Sequence, residues 1–213
     1  LFEVLERDAY WITMRCRINC PDIELNKIED LDPEILTILR VLKKKGFEVV
    51  LKDMSLDWGI PIAHAVLIDA NGGMPAFSHG TGASFDWNTS ISRAVCEVLQ
   101  MYSGMDALIN THFEWEEVVS VQGVLGRAEL AWSDPLYEKH IRHLVTPSEK
   151  TFQPRNKVRS VASLLRRLQR MGHEVVVANL ESDLGLSVVR VFVTNATQPD
   201  TRLEKIGSRL EKW

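Results

Sequence analysis

The apolar positions of this chain predict one series of elements, helix–strand–strand, that occurs twice. In residues 33–42 apolar side chains recur every three or four positions, as on one face of a helix. They are Ile35, Ile38, Leu39 and Leu42. Two apolar, β-branched runs follow at residues 49–51 and 62–68, and they predict strands. Gly46 stands where the helix would end, and residues 57–59 have the composition of a turn.

The same order of patterns returns near the C-terminus. A second helical stripe is followed by a glycine and by two further apolar runs. The stripe consists of Val161, Leu164, Leu165 and Leu168. Equivalent positions carry the same residue in both copies: Gly46 and Gly172, Glu48 and Glu174, Asp57 and Asp183, Gly59 and Gly185. We therefore predict an α+β fold, a single pseudo-symmetric domain of two helix–strand–strand repeats whose sheets are packed by helices.

The length of 213 residues suits one domain, which we place over residues 1–213. We expect repeat one at about residues 1–78 and repeat two at about 79–213, with an insertion at about 103–155. Within that insertion we expect helices from 114 to 131 and a loop from 145 to 155. Because Leu1 already lies inside a helical pattern, we expect the domain to be incomplete at its N-terminus.

Composition narrows the classes of partner. A net charge of −4 and a pI near 5.9 give no electrostatic basis for nucleic-acid binding. The sequence has no apolar run of transmembrane length and no signal peptide. Its three cysteines, an odd number without framework spacing, indicate a reducing compartment, so we expect a cytoplasmic protein. A homodimer stays open.

Two predicted helices, at residues 1–12 and 88–102, carry acidic or amide side chains opposite their apolar face. On the first helix the polar residues are Glu3, Glu6 and Arg7; on the second they are Arg93, Glu97 and Gln100. The spacing is the same in both, Glu-x-x-Glu and Glu-x-x-Gln. An ordinary solvated helix face explains such residues too, and that alternative stays open.

The second of these helices follows a glycine-rich segment. Gly80 and Gly82 form a Gly-x-Gly pattern, which we interpret as a turn that presents backbone N–H groups to an anion. Mg²⁺ takes oxygen ligands and usually shares them with polyphosphate. The four candidate ligands are Glu3, Glu6, Glu97 and Gln100. Arg190, on the last predicted strand, would neutralise phosphate charge, unless it is simply a solvent-facing charge at the edge of the sheet.

Several segments, in the same order along the chain, resemble motifs of the YcaO-domain family. Residues 2–9 (Phe-Glu-Val-Leu-Glu-Arg-Asp-Ala) are similar to its first acidic helix, E-x-x-E-R-D-A. Residues 53–61 are similar to its D-x-T-x-D-x-G-I-P turn. Residues 80–83 and 92–100 look like its G-x-G-A and R-A-x-x-E-x-x-Q motifs, and residues 187–191 resemble its closing P-V-V-R-V strand.

This resemblance implies an ATP-dependent enzyme that activates peptide backbone amides by phosphorylation, as in the biosynthesis of ribosomally made, modified peptides. The products would be azolines, by cyclodehydration, or thioamides. The implied cofactors are ATP and Mg²⁺. The residues that would bind them are Glu3, Glu6, Arg7, Gly80, Gly82, Arg93, Glu97, Gln100 and Arg190, of which Glu3, Glu6, Glu97 and Gln100 would hold the metal. The implied partners are a precursor peptide and a protein that delivers peptide or sulfur.

Two other classes of function stay open. The first is a non-catalytic scaffold or substrate-binding partner that keeps the fold without turnover. The second is a hydrolase that uses its carboxylates for acid–base catalysis, which would require a raised carboxyl pKa. Affinity for Mg²⁺–ATP separates the enzyme proposed by resemblance from the hydrolase, and phosphate release with a peptide separates it from the scaffold.

Overall fold

The computed structural model describes residues 1–73, 75–110, 138–154, 158–180 and 187–197. The helices there are α1 (Phe2–Cys16), α2 (Pro33–Lys44), α3 (Trp87–Asn110), α4 (Glu138–Val145) and α5 (Val161–Arg170), with one 3-10 turn at Leu25–Lys27. The strands are β1 (Phe47–Asp53), β2 (Ile62–Asp69), β3 (Phe77–Ala83), β4 (Val175–Leu180) and β5 (Val188–Val193). The helices predicted at 114–131 lie outside the described residues.

The strands form two antiparallel sheets, which we call sheet A and sheet B. Sheet A has the order β1-β2-β3 and sheet B pairs β4 with β5. The mixed α+β class is therefore confirmed. The order helix–strand–strand occurs in α2–β1–β2 and again in α5–β4–β5. Gly46 and Gly172 also match, because each follows the helix with a left-handed φ, +83° and +81°. Pseudo-symmetry between the repeats stays a prediction.

Sheet A lies between two layers of helices. On one face, small or apolar residues of β2 pack with α2 and α3; they include Ala63, Ala65 and Leu67. On the other face, Val66 packs with Ile141 and Leu144 of α4. β2 is buried on both sides, which is why its sequence is an almost continuous apolar run rather than an alternating one. The sheet thus carries α2 and α3 on one face and α4 on the other.

A further core joins α1 to α5 and β5. Leu5 and Ala9 of α1 pack with Trp58, with Leu164 of α5 and with Val193 of β5, and all of them are buried. Burial of a side chain as large as Trp58 contributes on the order of 2 kcal/mol or more. The predicted turn at residues 57–59 is therefore a packing centre as well as a connection.

Polar contacts fix this junction in one geometry. Asp8 is fully buried, and its carboxylate accepts hydrogen bonds from Trp58 Nε1 at 3.0 Å and from the Thr197 amide at 2.6 Å. The Arg167 guanidinium donates to the carbonyl oxygens of Trp58 and Asp57 at 2.8 and 2.6 Å. Residues from distant parts of the sequence therefore satisfy one another's polar groups beside α1.

None of the helices in the described ranges has the length and hydropathy of a membrane-spanning segment. The three cysteines, Cys16, Cys20 and Cys96, are all free thiols. Burial raises the pKa of Cys20 to about 11, while its bond to Thr13 acts in the opposite direction. Cys20 is therefore an inert core residue rather than a nucleophile.

Candidate functional site

The acidic face of α1 is set by the packing of its opposite side. Leu5, Ala9 and Ile12 are buried against the core, which leaves Glu3, Glu6 and Arg7 on the other face, in agreement with the helical pattern. The Glu3 carboxylate is exposed and pairs with Arg7 one turn later, at 2.6 Å between Oε1 and Nε. Such an exposed pair contributes only a few tenths of a kcal/mol. Glu3 can therefore exchange this partner for another at little cost.

Glu6 and Glu97 come together on Thr81, although 91 residues separate them along the chain. The Thr81 hydroxyl donates to Glu6 Oε1 at 2.7 Å. The Thr81 backbone amide donates to Glu97 Oε2 at 2.5 Å, and the hydroxyl lies 3.2 Å from the same oxygen. The structure thus brings one carboxylate from α1 and one from α3 to a single residue of β3.

The remaining predicted residues of α3 lie on the same exposed face as Glu97. Arg93 Nη1 donates to the carbonyl oxygen of Ala83 at 2.9 Å, which ties α3 to the end of β3. Gln100 is exposed, three residues after Glu97 on the helix. The predicted face of Arg93, Glu97 and Gln100 is therefore present, and Arg93 serves there as a structural clamp.

Electrostatics around Glu6 favour a cation. Desolvation by burial raises the pKa of Glu6 above its usual value, and the neighbouring charges of Glu3 and Glu97 raise it further. The hydrogen bond from Thr81 acts against these effects. A bound cation would reverse both unfavourable contributions by neutralising the clustered negative charge. The carboxylate and amide oxygens present also match the ligands that Mg²⁺ prefers.

The ligands are not arranged around one point in advance. Among the residues described, no three His, Cys, Asp or Glu side chains form a ready metal site. Glu3 pairs with Arg7 instead, while Glu6 and Glu97 are held by Thr81. Glu3 would therefore have to leave Arg7 before it could join Glu6 and Glu97 in enclosing an ion.

The predicted Gly-x-Gly turn is wrong, because residues 77–83 form strand β3. The predicted boundary between the repeats, at residues 78 and 79, also falls inside this strand. A Cβ atom on Gly80 would lie 2.6 Å from the carbonyl oxygen of Ala94, and one on Gly82 would lie 2.8 Å from the Ala94 amide. The glycines thus let β3 approach the backbone of α3. Whether either glycine contacts a nucleotide stays a prediction.

Comparison with known families agrees with this geometry. The profile of the family described as YcaO cyclodehydratase, ATP- and Mg²⁺-binding, matches residues 1–197. The chain belongs to the YcaO family. No curated protein matches the chain. The resemblance drawn from the sequence motifs is therefore confirmed.

Solved structures with the YcaO fold match most of the chain. A heterocyclase in complex with substrate and cofactor superimposes with a TM-score of 0.77 at 23% identity, over 98% of this chain and 27% of its own. The heterocyclase TruD superimposes with a TM-score of 0.69 at 23% identity, over 98% of this chain and 28% of its own. YcaO from Methanopyrus kandleri, bound with AMPPCP and Mg²⁺, superimposes with a TM-score of 0.63 at 25% identity. The match covers 92% of this chain and 50% of that protein. This YcaO chain thus spans from about a quarter to half of these proteins.

Arg190 is the one predicted site residue on sheet B. It lies on exposed strand β5, with its guanidinium carbon 5.1 Å from the centre of the Phe192 ring, a cation–π distance. Within the described ranges no hydrogen bond or salt bridge joins Arg190 to Glu3, Glu6 or Glu97, which bond to Arg7 and Thr81 instead. Its role toward phosphate therefore stays a prediction, as does the solvent-facing alternative.

A cluster of aromatic and imidazole rings lies beside the two carboxylates, and no sequence pattern predicts it. His64 pairs across the sheet with Thr81, so both side chains point to the face covered by α1. The Tyr10 ring stacks on His79 with ring centroids 5.2 Å apart, and His64 lies edge-on to both. His64 is fully buried, and in the described part of the chain neither of its ring nitrogens has a hydrogen-bond partner.

This cluster should make the YcaO chain less stable in acid. Burial, then the charges of His79, His143 and Lys52, lower the pKa of His64 well below 6.5, and burial lowers that of His79 to about 4. The unfolded chain binds protons on these rings below about pH 6.5, whereas the folded chain does not. The stabilisation from keeping these rings neutral is therefore fully present above about pH 6.5. Below that pH the free energy of unfolding falls by about 1.4 kcal/mol per pH unit for each such ring.

Urea unfolding between pH 7.5 and pH 5 measures this loss, with His64→Leu as the comparison. The variant lacks one of the titrating rings, so its stability should fall less steeply below pH 6.5. Above pH 7 the free energies of unfolding of the wild type and the variant should change in parallel with pH. Curves that stay parallel down to pH 5 would contradict the prediction.

Proposed function

We propose that this chain carries the Mg²⁺–ATP site of a YcaO enzyme that phosphorylates peptide backbone amides. The observation that carries the proposal is the meeting of Glu6 and Glu97 on Thr81, because it joins the two acidic helices that the family resemblance assigns to the cofactor. Membership of a family described as binding ATP and Mg²⁺ supports the same interpretation. The site's task is to position a polyphosphate and to neutralise its charge, which are the main contributions to phosphoryl transfer.

Each residue has a defined part in this proposal. When bound, Mg²⁺–ATP supplies the phosphoryl group and the charge that offsets the clustered carboxylates. Glu6 and Glu97 would hold the metal from opposite helices, with Glu3 released from Arg7 as a further oxygen ligand and Gln100 as an amide ligand. Arg190 would contact phosphate oxygens from sheet B. The substrate amide oxygen would take the γ-phosphoryl group, which makes that oxygen a better leaving group.

The chemistry that follows is open between two outcomes. A side-chain thiol or hydroxyl of the peptide would add to the activated carbon, and phosphate would leave with the amide oxygen to give an azoline. Addition of a sulfide equivalent would give a thioamide instead. A heterocyclase with the same fold binds a substrate together with a cofactor, which supports a two-component site, and the family resemblance makes a precursor peptide the proposed substrate class. A protein that delivers the peptide or the sulfur, and a homodimer, remain part of the proposal.

The scaffold and hydrolase alternatives make different demands on the same residues. A scaffold would bind the peptide without releasing phosphate from ATP. A hydrolase would use the raised pKa of Glu6 for acid–base catalysis and would need no nucleotide. The pKa shift of Glu6 does fit that requirement. Burial is the main cause of that shift, but the charges of Glu3 and Glu97 also raise the pKa of Glu6, and a cluster of three carboxylates suits a cation better.

Glu97→Gln should weaken Mg²⁺–ATP binding at least tenfold, about 1.4 kcal/mol, because it removes one negative ligand while keeping the size of the side chain. Isothermal titration calorimetry of the full chain in excess Mg²⁺ measures the effect. Glu34→Gln is the matched control, since Glu34 is an exposed glutamate in the first turn of α2, and it should bind as the wild type does.

Two outcomes would contradict the proposal. One is the absence of nucleotide binding by the wild-type chain at millimolar Mg²⁺–ATP. The other is equal affinity of the wild type and of the Glu97→Gln variant. If binding is present, phosphate release in the presence of candidate peptides then separates the enzyme from the scaffold.

A further inference from the structure

Thr81 offers two hydrogen-bond donors, and each is committed to a different carboxylate. The hydroxyl carries one proton, and its oxygen is closer to Glu6 Oε1, at 2.7 Å, than to Glu97 Oε2, at 3.2 Å. The backbone amide already donates to Glu97 at 2.5 Å. The side chain of Thr81 therefore serves Glu6, and its main chain serves Glu97.

The position of Thr81 in the fold makes this double role available. Among the described residues β3 is an edge strand of sheet A, paired there with β2 alone, so amides on its other side need a partner. Gly80 and Gly82 bring β3 against the backbone of α3, and this places Glu97 beside that edge. The Thr81 side chain alternates to the opposite face from the two glycines, which is the face that α1 covers.

We propose that Thr81 is a positioning residue that sets Glu6 of α1 and Glu97 of α3 side by side for the cation. This inference rests on the proposed function, and it adds a residue to which neither the acidic motifs nor the nucleotide chemistry assigns a part. The hydroxyl limits the rotamers of Glu6 before the metal arrives, so less side-chain entropy is lost on binding. Without it, the negative charges of Glu3 and Glu97 would drive the Glu6 carboxylate away.

Thr81→Val tests the hydroxyl alone. Valine keeps the β-branched shape and suits a strand, but it cannot donate to Glu6, while the backbone amide still donates to Glu97. We expect Mg²⁺–ATP affinity, measured by calorimetry on the full chain, to fall about fivefold to tenfold. Thr81→Ser keeps the hydroxyl and should bind within about twofold of the wild type.

A double-mutant cycle separates positioning from direct contact with the nucleotide. If Thr81 acts through Glu6, then adding Thr81→Val to a Glu6→Ala chain should change the affinity less than twofold. Added to a Glu97→Ala chain, Thr81→Val should still weaken binding by most of its own factor, because the hydroxyl does not primarily serve Glu97. The thermal midpoint without nucleotide checks that each variant is folded.

Each failure has its own signature. If the wild type binds and Glu6→Ala weakens binding, but Thr81→Val binds as tightly as the wild type, the positioning role is overturned while the proposed function stands. If Thr81→Val weakens binding by the same factor with and without Glu6, Thr81 contacts the nucleotide itself and the positioning role is again overturned. If Glu6→Ala and Glu97→Ala both bind as the wild type does, the proposed function fails and the inference fails with it.

Discussion

Gly80→Ala should lower the free energy of unfolding by about 3 kcal/mol. The new Cβ atom would lie 2.6 Å from the carbonyl oxygen of Ala94 and would also clash with the Val98 amide. Both are backbone atoms of α3, so no side chain can rotate away and either the strand or the helix must move. Forced overpacking of this kind costs about 1–3 kcal/mol, occasionally more, and the backbone obstruction places Gly80 at the upper end.

Gly104→Ala is the matched control for this prediction. Gly104 lies in the same helix, α3, and beyond its own helical turn no described atom lies within 4 Å of a Cβ atom added there. That substitution should raise stability by about 0.5–1 kcal/mol, because alanine is the better helix former. Urea unfolding followed by circular dichroism measures both variants. A Gly80→Ala chain as stable as the Gly104→Ala chain would show that β3 and α3 are not packed at backbone distance.

Asp8→Ala should cost about 3–6 kcal/mol, because two buried N–H donors each lose a hydrogen bond to a carboxylate, at about 1.5–3 kcal/mol per bond. The carboxylate is the acceptor for the Trp58 indole N–H and for the Thr197 amide, and its removal leaves both donors in the core without it. Trp58 is itself fully buried, so water reaches the site only if the packing opens. Loss of the cooperative transition at physiological temperature would also satisfy the prediction.

Asp32→Ala provides the comparison for an aspartate outside the core. Asp32 caps α2 by accepting a hydrogen bond from the Glu34 amide at 2.8 Å, and loss of such a cap costs about 1 kcal/mol. The two variants have the same change in charge, so the difference between them reports burial. Equal losses of unfolding free energy in Asp8→Ala and Asp32→Ala would contradict the role given to Asp8.

Helix α2 and strand β2 could be predicted from the sequence, because the signals that define them lie within or next to each element. Helix α2 begins at Pro33, behind the cap of Asp32, and ends at Lys44, two residues beyond the predicted end. Strand β2 covers Ile62–Asp69, against a prediction of 62–68. Strand β3 is not predicted, because a run of glycine and small polar residues has the composition of a turn. Its extended form depends on pairing with β2 and on close packing against the backbone of α3, which no local pattern records.

The candidate site, like the fold, has one part that local sequence patterns predict and another that depends on how the elements pack. Helical periodicity places Glu6 on the polar face of α1 and Glu97 on that of α3, and the structure brings both to β3. The pairing of Glu3 with Arg7 is an i, i+4 contact that the spacing allows. No sequence pattern points to Thr81, since its importance depends on which edge of β3 faces which helix. The position of Arg190 relative to the two carboxylates depends on how sheet B lies against sheet A, and the sequence motif around Arg190 does not specify this arrangement.

The hydrogen bond from the Thr197 amide to Asp8 has a consequence for how the protein is made. The two residues are 189 positions apart, so the carboxylate on the first helix gains this donor only when nearly all of the described chain has been synthesised. Chains grow at about 5–20 residues per second, which is slow compared with helix formation. On the ribosome α1 can therefore become helical early, yet its docking is completed only late. Nascent chains released before residue 197 would carry both acidic helices without the contact that secures the first of them.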